Sequence, residues 1–379
     1  MRDVPVFFWQ NMPAHHQVAA LDAFASVWGA PATGVWMNDV DSGRRRDGWK
    51  SPGRAHLCDR FLPSVGWQAE VDAIVSAHPD AIHLFSGLGA YPPVTRAAHY
   101  ILRQARPRAG IIVETALKSP WKRPVTTLKA IAHYYPIRRK LGAVMAIGTL
   151  AEDFYRSIGI GSSQIFPYLY QCDAPVPSGE VPASDTLRIV FVGRLAPYKG
   201  LDVLLEALAP LAARAWTLDV YGDGPSQQHL RTMAGRLGLA TKVRFHGVIS
   251  SDRVVPSLAT ADLCVVPSRY DGWGMATSEA LQAGLPALVS DAAGSRDLVA
   301  ASGAGAVFAS GRIAELSEQL ARRMDSPTLI REEKSRARLF APRVSPLAVG
   351  TYLAAVLRHA FLSEAVRPTA PWLDGNQNE

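Results

Sequence analysis

Short apolar runs, each closing in a polar loop and followed by helical spacing, recur along the whole chain, and no other feature limits the fold as strongly. The runs are residues 4–9 (VPVFFW), 81–85 (AIHLF), 110–113 (GIIV) and 143–147 (AVMAI), then 187–192 (LRIVFV), 218–221 (LDVY), 243–246 (VRFH), 263–266 (LCVV) and 287–290 (ALVS). Runs without polar alternation fit strands buried on both faces of a parallel sheet. Helical spacing at 16–28, 94–104, 151–158, 201–211 and 227–235 predicts helices covering those faces. Residues 173–186 (DAPVPSGEVPASDT) have no apolar period and read as a linker. The expected fold is α/β, with two Rossmann-like doubly wound domains, 1–172 and 187–342, facing a central cleft. A helix within 343–365 follows, with Leu347, Leu353, Val356 and Leu357 as its apolar contacts, and the tail 366–379 is expected to be disordered.

A chain of 379 residues with 48% hydrophobic content can fill two cores, and it contains no run approaching the ~20 apolar residues of a membrane span. The opening segment is too short in apolar residues for a secretory signal, so a cytoplasmic protein is expected. Cys58, Cys172 and Cys264 are odd in number and far apart, which fits reduced structural thiols. The formal charge of +7 favours anionic partners without choosing among nucleotides, acidic lipids and nucleic acid.

In a doubly wound fold, the loops that follow strands face the ligand crevice. Between the runs at 263–266 and 287–290 lie Asp271, Gly272, Gly274, a helix start near Ala276 or Thr277, and Glu279. Glycines admit a ligand close to the backbone, and the first amides of a helix attract anions. An ordinary turn with a capped helix fits the same residues. The run at 187–192 ends in GRLAPYKG (193–200), where Arg194 and Lys199 would neutralise a diphosphate unless they are surface charges. This loop matches neither G-x-G-x-x-G nor the P-loop pattern.

The first half offers the polar loop 10–17 with His15 and His16, and Glu114 at the end of the run 110–113. Each is either a ligand contact or an ordinary solvated or paired group. Asp39 and Asp41 resemble a metal-binding pair, but no further carboxylate cluster joins them, so no metal site is assigned. Between Thr115 and Ala151 there is no acidic residue, whereas Lys118, Lys122, Arg123, Lys129, Arg138, Arg139 and Lys140 are basic. Val125, Leu128, Ala132 and Tyr135 fall on one helical face there, with Trp121 and Tyr134 at its margins. The segment 115–142 suits an anionic membrane surface or a phosphate-bearing acceptor; the alternative is a helix packed on its own domain with a solvated basic face.

The 193–200 loop with its lysine, the turn Tyr221-Gly222-Asp223-Gly224-Pro225, Phe245-His246-Gly247 and the acid-x7-acid pair Asp271 and Glu279 together resemble the GT-B glycosyltransferases of retaining family 4, the glycosyl transferases group 1. The resemblance is strong over 187–300 and only architectural before the linker. It implies a nucleotide-sugar-binding second domain, an acceptor-binding first domain, and a C-terminal helix that returns to the first domain. It further implies that Gly193, Arg194 and Lys199 hold the donor diphosphate, Glu279 the ribose hydroxyls and Asp271 the transferred sugar. Main-chain amides of Trp273, Gly274 and Met275, next to Gly272, would face the sugar and phosphate, while Gly222, Gly247 and Val248 would line the base pocket.

The implied activity is retaining, metal-independent transfer from a UDP- or GDP-linked sugar, which is a co-substrate and not a cofactor, to a glycan or lipid-linked acceptor. Three departures stand out. Asp271 replaces the usual glutamate, the usual glycine pair of the first loop is absent, and Glu114 stands where a histidine is common, leaving His16 or Glu114 to supply that contact. A nucleotide-sugar epimerase on the same fold is the nearest alternative. A nucleic-acid-binding protein is further off, since acids sit inside the proposed site.

Overall fold

The computed structural model describes residues 3–40, 42–46, 53–115, 123–170 and 185–373. Almost all of the expected linker lies outside the described residues, as do Asp41, Lys118, Trp121, Lys122 and Cys172. The chain divides into two units, and each holds one parallel sheet.

The first unit comprises Met1–Ser42, Ser51–Tyr170 and Pro346–Pro371. Its elements begin with β1 (Val6–Gln10), α1 (His15–Val27), β2 (Ala32–Trp36) and β3 (Cys58–Phe61), while the short α2 (Ser42–Arg46) between β2 and β3 counts from Gly43 on with the second unit. They continue with α3 (Trp67–Ala77), β4 (Ile82–Ser86), α4 (Pro92–Leu102), β5 (Ala109–Val113), α5 (Arg123–Tyr134), β6 (Leu141–Ile147), α6 (Thr149–Ser157) and β7 (Ile165–Tyr168). The seven strands run in the order β3-β2-β1-β4-β5-β6-β7. β1 and β5 are buried along their whole length, as the unbroken apolar runs predict. A histidine interrupts one run: His83 is fully buried, Trp9 Nε1 donates to its Nδ1 at 3.0 Å, and burial lowers its pKa to about 3, so the ring is neutral.

The second unit carries β8 (Leu187–Val192), α7 (Leu201–Leu208), β9 (Trp216–Tyr221), α8 (Gln227–Arg236), β10 (Val243–Gly247), α9 (Ser251–Leu258) and β11 (Leu263–Val266). It continues with α10 (Met275–Gln282), β12 (Ala287–Ser290), α11 (Arg296–Ser302), β13 (Gly305–Phe308), α12 (Ile313–Asp325) and α13 (Pro327–Phe340). Its strand order is β10-β9-β8-β11-β12-β13. The order reverses between β8 and β11, so the loops after these two strands flank the topological switch point, where doubly wound sheets bind ligands.

The last helix, α14 (Pro346–Phe361), belongs to the first unit and packs on α1. Gly350 permits the contact, since a Cβ there would stand 2.5 Å from Phe24 N and 2.9 Å from Ala20 O. Arg358 closes the joint with a bond from Nη2 to Asp3 Oδ2 of 2.7 Å, and its guanidinium lies 4.9 Å from the Trp28 ring centroid.

Three expectations need correction here. Leu347 is 58% exposed, because the face of α14 that meets α1 is built on Val349, Tyr352, Leu353, Val356 and Leu357. The tail is ordered through residue 373: Arg367 donates to the carbonyls of Ser163 and Ile165 and stacks over Phe166, and Ala370 and Trp372 are buried. Tyr134 is buried and anchors α5 in the core rather than lying at its margin.

Candidate functional site

The loop after β8 and the loop after β11 are built to lie against each other. Gly200 has φ +72°, and a Cβ on it would fall 2.0 Å from Pro267 O. Only glycine meets both conditions there. Arg269 adds polar ties, donating to Pro197 O at 2.8 Å and gripping Asp202 with both nitrogens at 2.7 and 2.6 Å. The loop after β9 is drawn in as well, because a Cβ on Gly222 would sit 2.0 Å from Gly193 O.

This closeness brings Lys199 Nζ to 2.6 Å from Asp271 Oδ2, with Ser268 Oγ donating to the same oxygen at 3.3 Å. Both side chains are mostly buried. A cavity of about 120 Å³ opens between them, lined by Gly193, Lys199, Ser268, Asp271, Gly274, Met275 and Glu279 among others. Glu279 projects from α10, a helix buried on every side. The residue is 5% exposed, and desolvation raises its pKa to about 7 against the opposing pull of the Lys199 charge. Near neutral pH it can accept hydrogen bonds from a diol and, in its protonated fraction, donate one.

The Asp271 loop is braced from beneath. Asp271 N donates to Ala292 O at 3.1 Å, Gly294 N donates to Asp271 O at 3.2 Å, and Ser295 N donates to Trp273 O at 2.7 Å. Inside the same layer Trp273 Nε1 donates to Ser278 Oγ at 2.9 Å and Ser295 Oγ to Thr277 Oγ1 at 2.8 Å, so the two buried hydroxyls of α10 have partners.

Of the residues expected to bind a donor, Gly193, Lys199, Asp271, Gly274, Met275 and Glu279 share this cavity. Arg194 is exposed at the same strand end and does not line it. Gly272 and Trp273 lie in the loop beside it, the tryptophan side chain buried. Gly222 and Gly247 are joined by a 2.7 Å main-chain bond at the ends of β9 and β10, and Val248 beside them is 40% exposed. Glu114 and His16 belong to the first unit, at the end of β5 and the start of α1. Ser268 was missed in the sequence; its place two residues beyond β11 is the one signal that marks it. Among the described residues, no group of three His, Cys, Asp or Glu side chains is placed to hold a metal ion.

Residues 178–340 match the family model described as Glycosyl transferases group 1. The match covers somewhat less than half of the chain, all of it within the stretch Gln171–Ser345 that belongs to the second unit. The alpha-D-kanosaminyltransferase of Streptomyces kanamyceticus is 30% identical over 177 residues, 46% of this chain and 46% of the relative, so the match spans about half of each protein. In fold, Anabaena HepE solved in complex with UDP aligns with a TM-score of 0.72 at 19% identity, covering 94% of this chain and 100% of HepE. WaaG, a glycosyltransferase involved in lipopolysaccharide biosynthesis, aligns at a TM-score of 0.61 and 16% identity, covering 93% and 99%. The architecture of the chain is thus GT-B, with two Rossmann-like units.

Proposed function

We propose that the protein is a retaining, metal-independent glycosyltransferase that moves a sugar from a UDP- or GDP-linked donor to a glycan or lipid-linked acceptor in bacterial surface polysaccharide synthesis. The observation that carries this reading is the cavity at the β8/β11 switch point, where Lys199, Asp271 and Glu279 meet. A nucleoside diphosphate gains charge as the glycosidic bond breaks, and a cation fixed beside it lowers the barrier by on the order of 3 kcal/mol. Lys199 and Arg194 supply that charge, Glu279 holds the ribose diol, and Asp271 meets the hydroxyls of the sugar. Similarity to a UDP-bound structure and to a lipopolysaccharide glycosyltransferase supports the donor and the setting.

The acceptor side of the reading includes a membrane. The stripe Val125, Leu128, Ala132 and Tyr135 on and just beyond α5 is turned outward, with Val125 60%, Leu128 68% and Tyr135 49% exposed. Exposed Lys129 and Arg139 flank it. An apolar stripe with a basic border suits the surface of an anionic bilayer, on which a lipid-linked acceptor would lie. Among the described residues no single helix is long and apolar enough to cross a membrane.

The test is a panel of UDP-, GDP- and TDP-sugars, with turnover and nucleotide binding measured for the parent, Glu279→Ala and Lys199→Ala. Turnover of at least one sugar, reduced in both variants, is expected; no binding by the parent, or variants equal to it, would overturn the proposal. Flotation with anionic liposomes tests the membrane face, where Leu128→Ser with Lys129→Ser should reduce recovery in the lipid fraction.

A further inference from the structure

Three loops at the carboxyl edge of the first sheet converge on Tyr170, two residues beyond β7. Its side chain is buried and makes hydrogen bonds to the side chains of Gln17 and Glu114. The polarity runs one way: the Gln17 amide donates to the phenol oxygen, and the phenol donates to the Glu114 carboxylate. Burial, with the Glu114 charge behind it, holds the phenol well above its usual pKa, so it remains a donor. His16 packs edge-on against the same ring, centroids 4.4 Å apart at 63°. From α6, the Tyr155 hydroxyl donates to Glu114 O at 3.5 Å.

Glu114 is nevertheless exposed. A solvated carboxylate ordinarily keeps its rotamer freedom, yet this one is tied by main chain and side chain to two buried tyrosines. Nearby, the buried Gln10 at the end of β1 has neither amide atom hydrogen-bonded, which costs about 1–3 kcal/mol unless a ligand or water meets it. An anchored acid and an unsatisfied amide on one sheet edge, beside its β1/β4 switch point, mark a place prepared for a polar substrate.

We infer that Tyr170 is a positioning residue: it presents Glu114, with His16 alongside, to a hydroxyl group of the sugar substrate. The inference rests on the proposed glycosyl transfer. A double-mutant cycle with Tyr170→Phe and Glu114→Gln tests it, using whichever nucleotide sugar the parent turns over and reading kcat together with UDP affinity. Phenylalanine keeps the ring against which His16 packs. Tyr170→Phe should lower kcat about ten-fold with UDP affinity unchanged, Glu114→Gln should do the same, and the double variant should be no slower than Glu114→Gln alone. An equal loss with and without Glu114, no loss in Tyr170→Phe, or full activity in Glu114→Gln would overturn the inference and leave the glycosyltransferase reading intact. A parent that turns over and binds no nucleotide sugar would overturn both.

Discussion

Lys199 Nζ lies 2.6 Å from Asp271 Oδ2, so the cation that the loop after β8 would offer to a diphosphate is shared with an acid of the loop after β11. A ligand phosphate must compete with that acid. Asp271→Asn removes the competitor and keeps the side chain's shape. UDP should then bind about two- to five-fold tighter, as expected for loss of a partly buried ion pair, while sugar transfer falls. Calorimetric titration with UDP checks this, and weaker binding would show that the pair helps to build the site.

Glu279 links the site to pH through stability. Its pKa is raised from 4.5 to about 7 by burial, so the folded state holds its proton more tightly than the unfolded chain. Between these values the folded state binds the extra proton, and stability falls as pH rises through the window. Glu279→Gln carries no such penalty. It should gain stability over the parent on the order of 3 kcal/mol at pH 8 and nothing at pH 4.5, read as a melting-temperature difference present at the higher pH alone.

Gly294 should not tolerate a side chain. An added Cβ would stand 2.4 Å from Gly272 O and 3.3 Å from Trp273 Cα, directly beneath the loop that carries Asp271. Gly294→Ala should destabilise the fold by about 1–3 kcal/mol and weaken donor binding as well, because the loop must lift. Urea unfolding and UDP titration of one preparation separate the two effects.

The second unit contains a buried ion pair remote from the cavity. Arg323 Nη2 lies 2.6 Å from Glu333 Oε1, with side chains 2% and 3% exposed, and it joins α12 to α13. Arg323→Met alone leaves a buried, unpaired carboxylate and should cost about 3–5 kcal/mol. Adding Glu333→Leu should recover most of that loss in denaturant unfolding.

Unbroken apolar runs made β1, β4, β5, β8, β11 and β12 legible, whereas β2 (ATGVW) and β7 (IFPY), almost as buried, were not read as strands because Thr33 and Gly34 break the one run and Pro167 the other. β3 (CDRF) was not, since all four residues of this edge strand are exposed and no apolar pattern is required of them. The spacing of Val125, Leu128, Ala132 and Tyr135 placed a helix correctly but not its orientation, which the burial of Ala130 and Tyr134 decides. That Lys199, Asp271 and Glu279 share one cavity follows from their places after β8, after β11 and within α10, with Gly193, Gly272 and Gly274 close by. Tyr170 carried no local sign, since its partners Gln17 and Glu114 come from distant loops and meet only in the folded unit.

The first unit is assembled from Met1–Ser42, Ser51–Tyr170 and Pro346–Pro371, with Gln171–Ser345 of the second unit between the last two, since α14 must reach α1 and Arg358 must reach Asp3. During synthesis, residues 185–345 leave the ribosome as a continuous body that can fold on emergence. The first unit must wait with the buried face of α1, Ala20 and Phe24 among it, uncovered until the last helix arrives. A ribosome that stalls or terminates before residue 346 therefore releases a chain with an open apolar seam, which makes an intact final helix a checkpoint on the whole product.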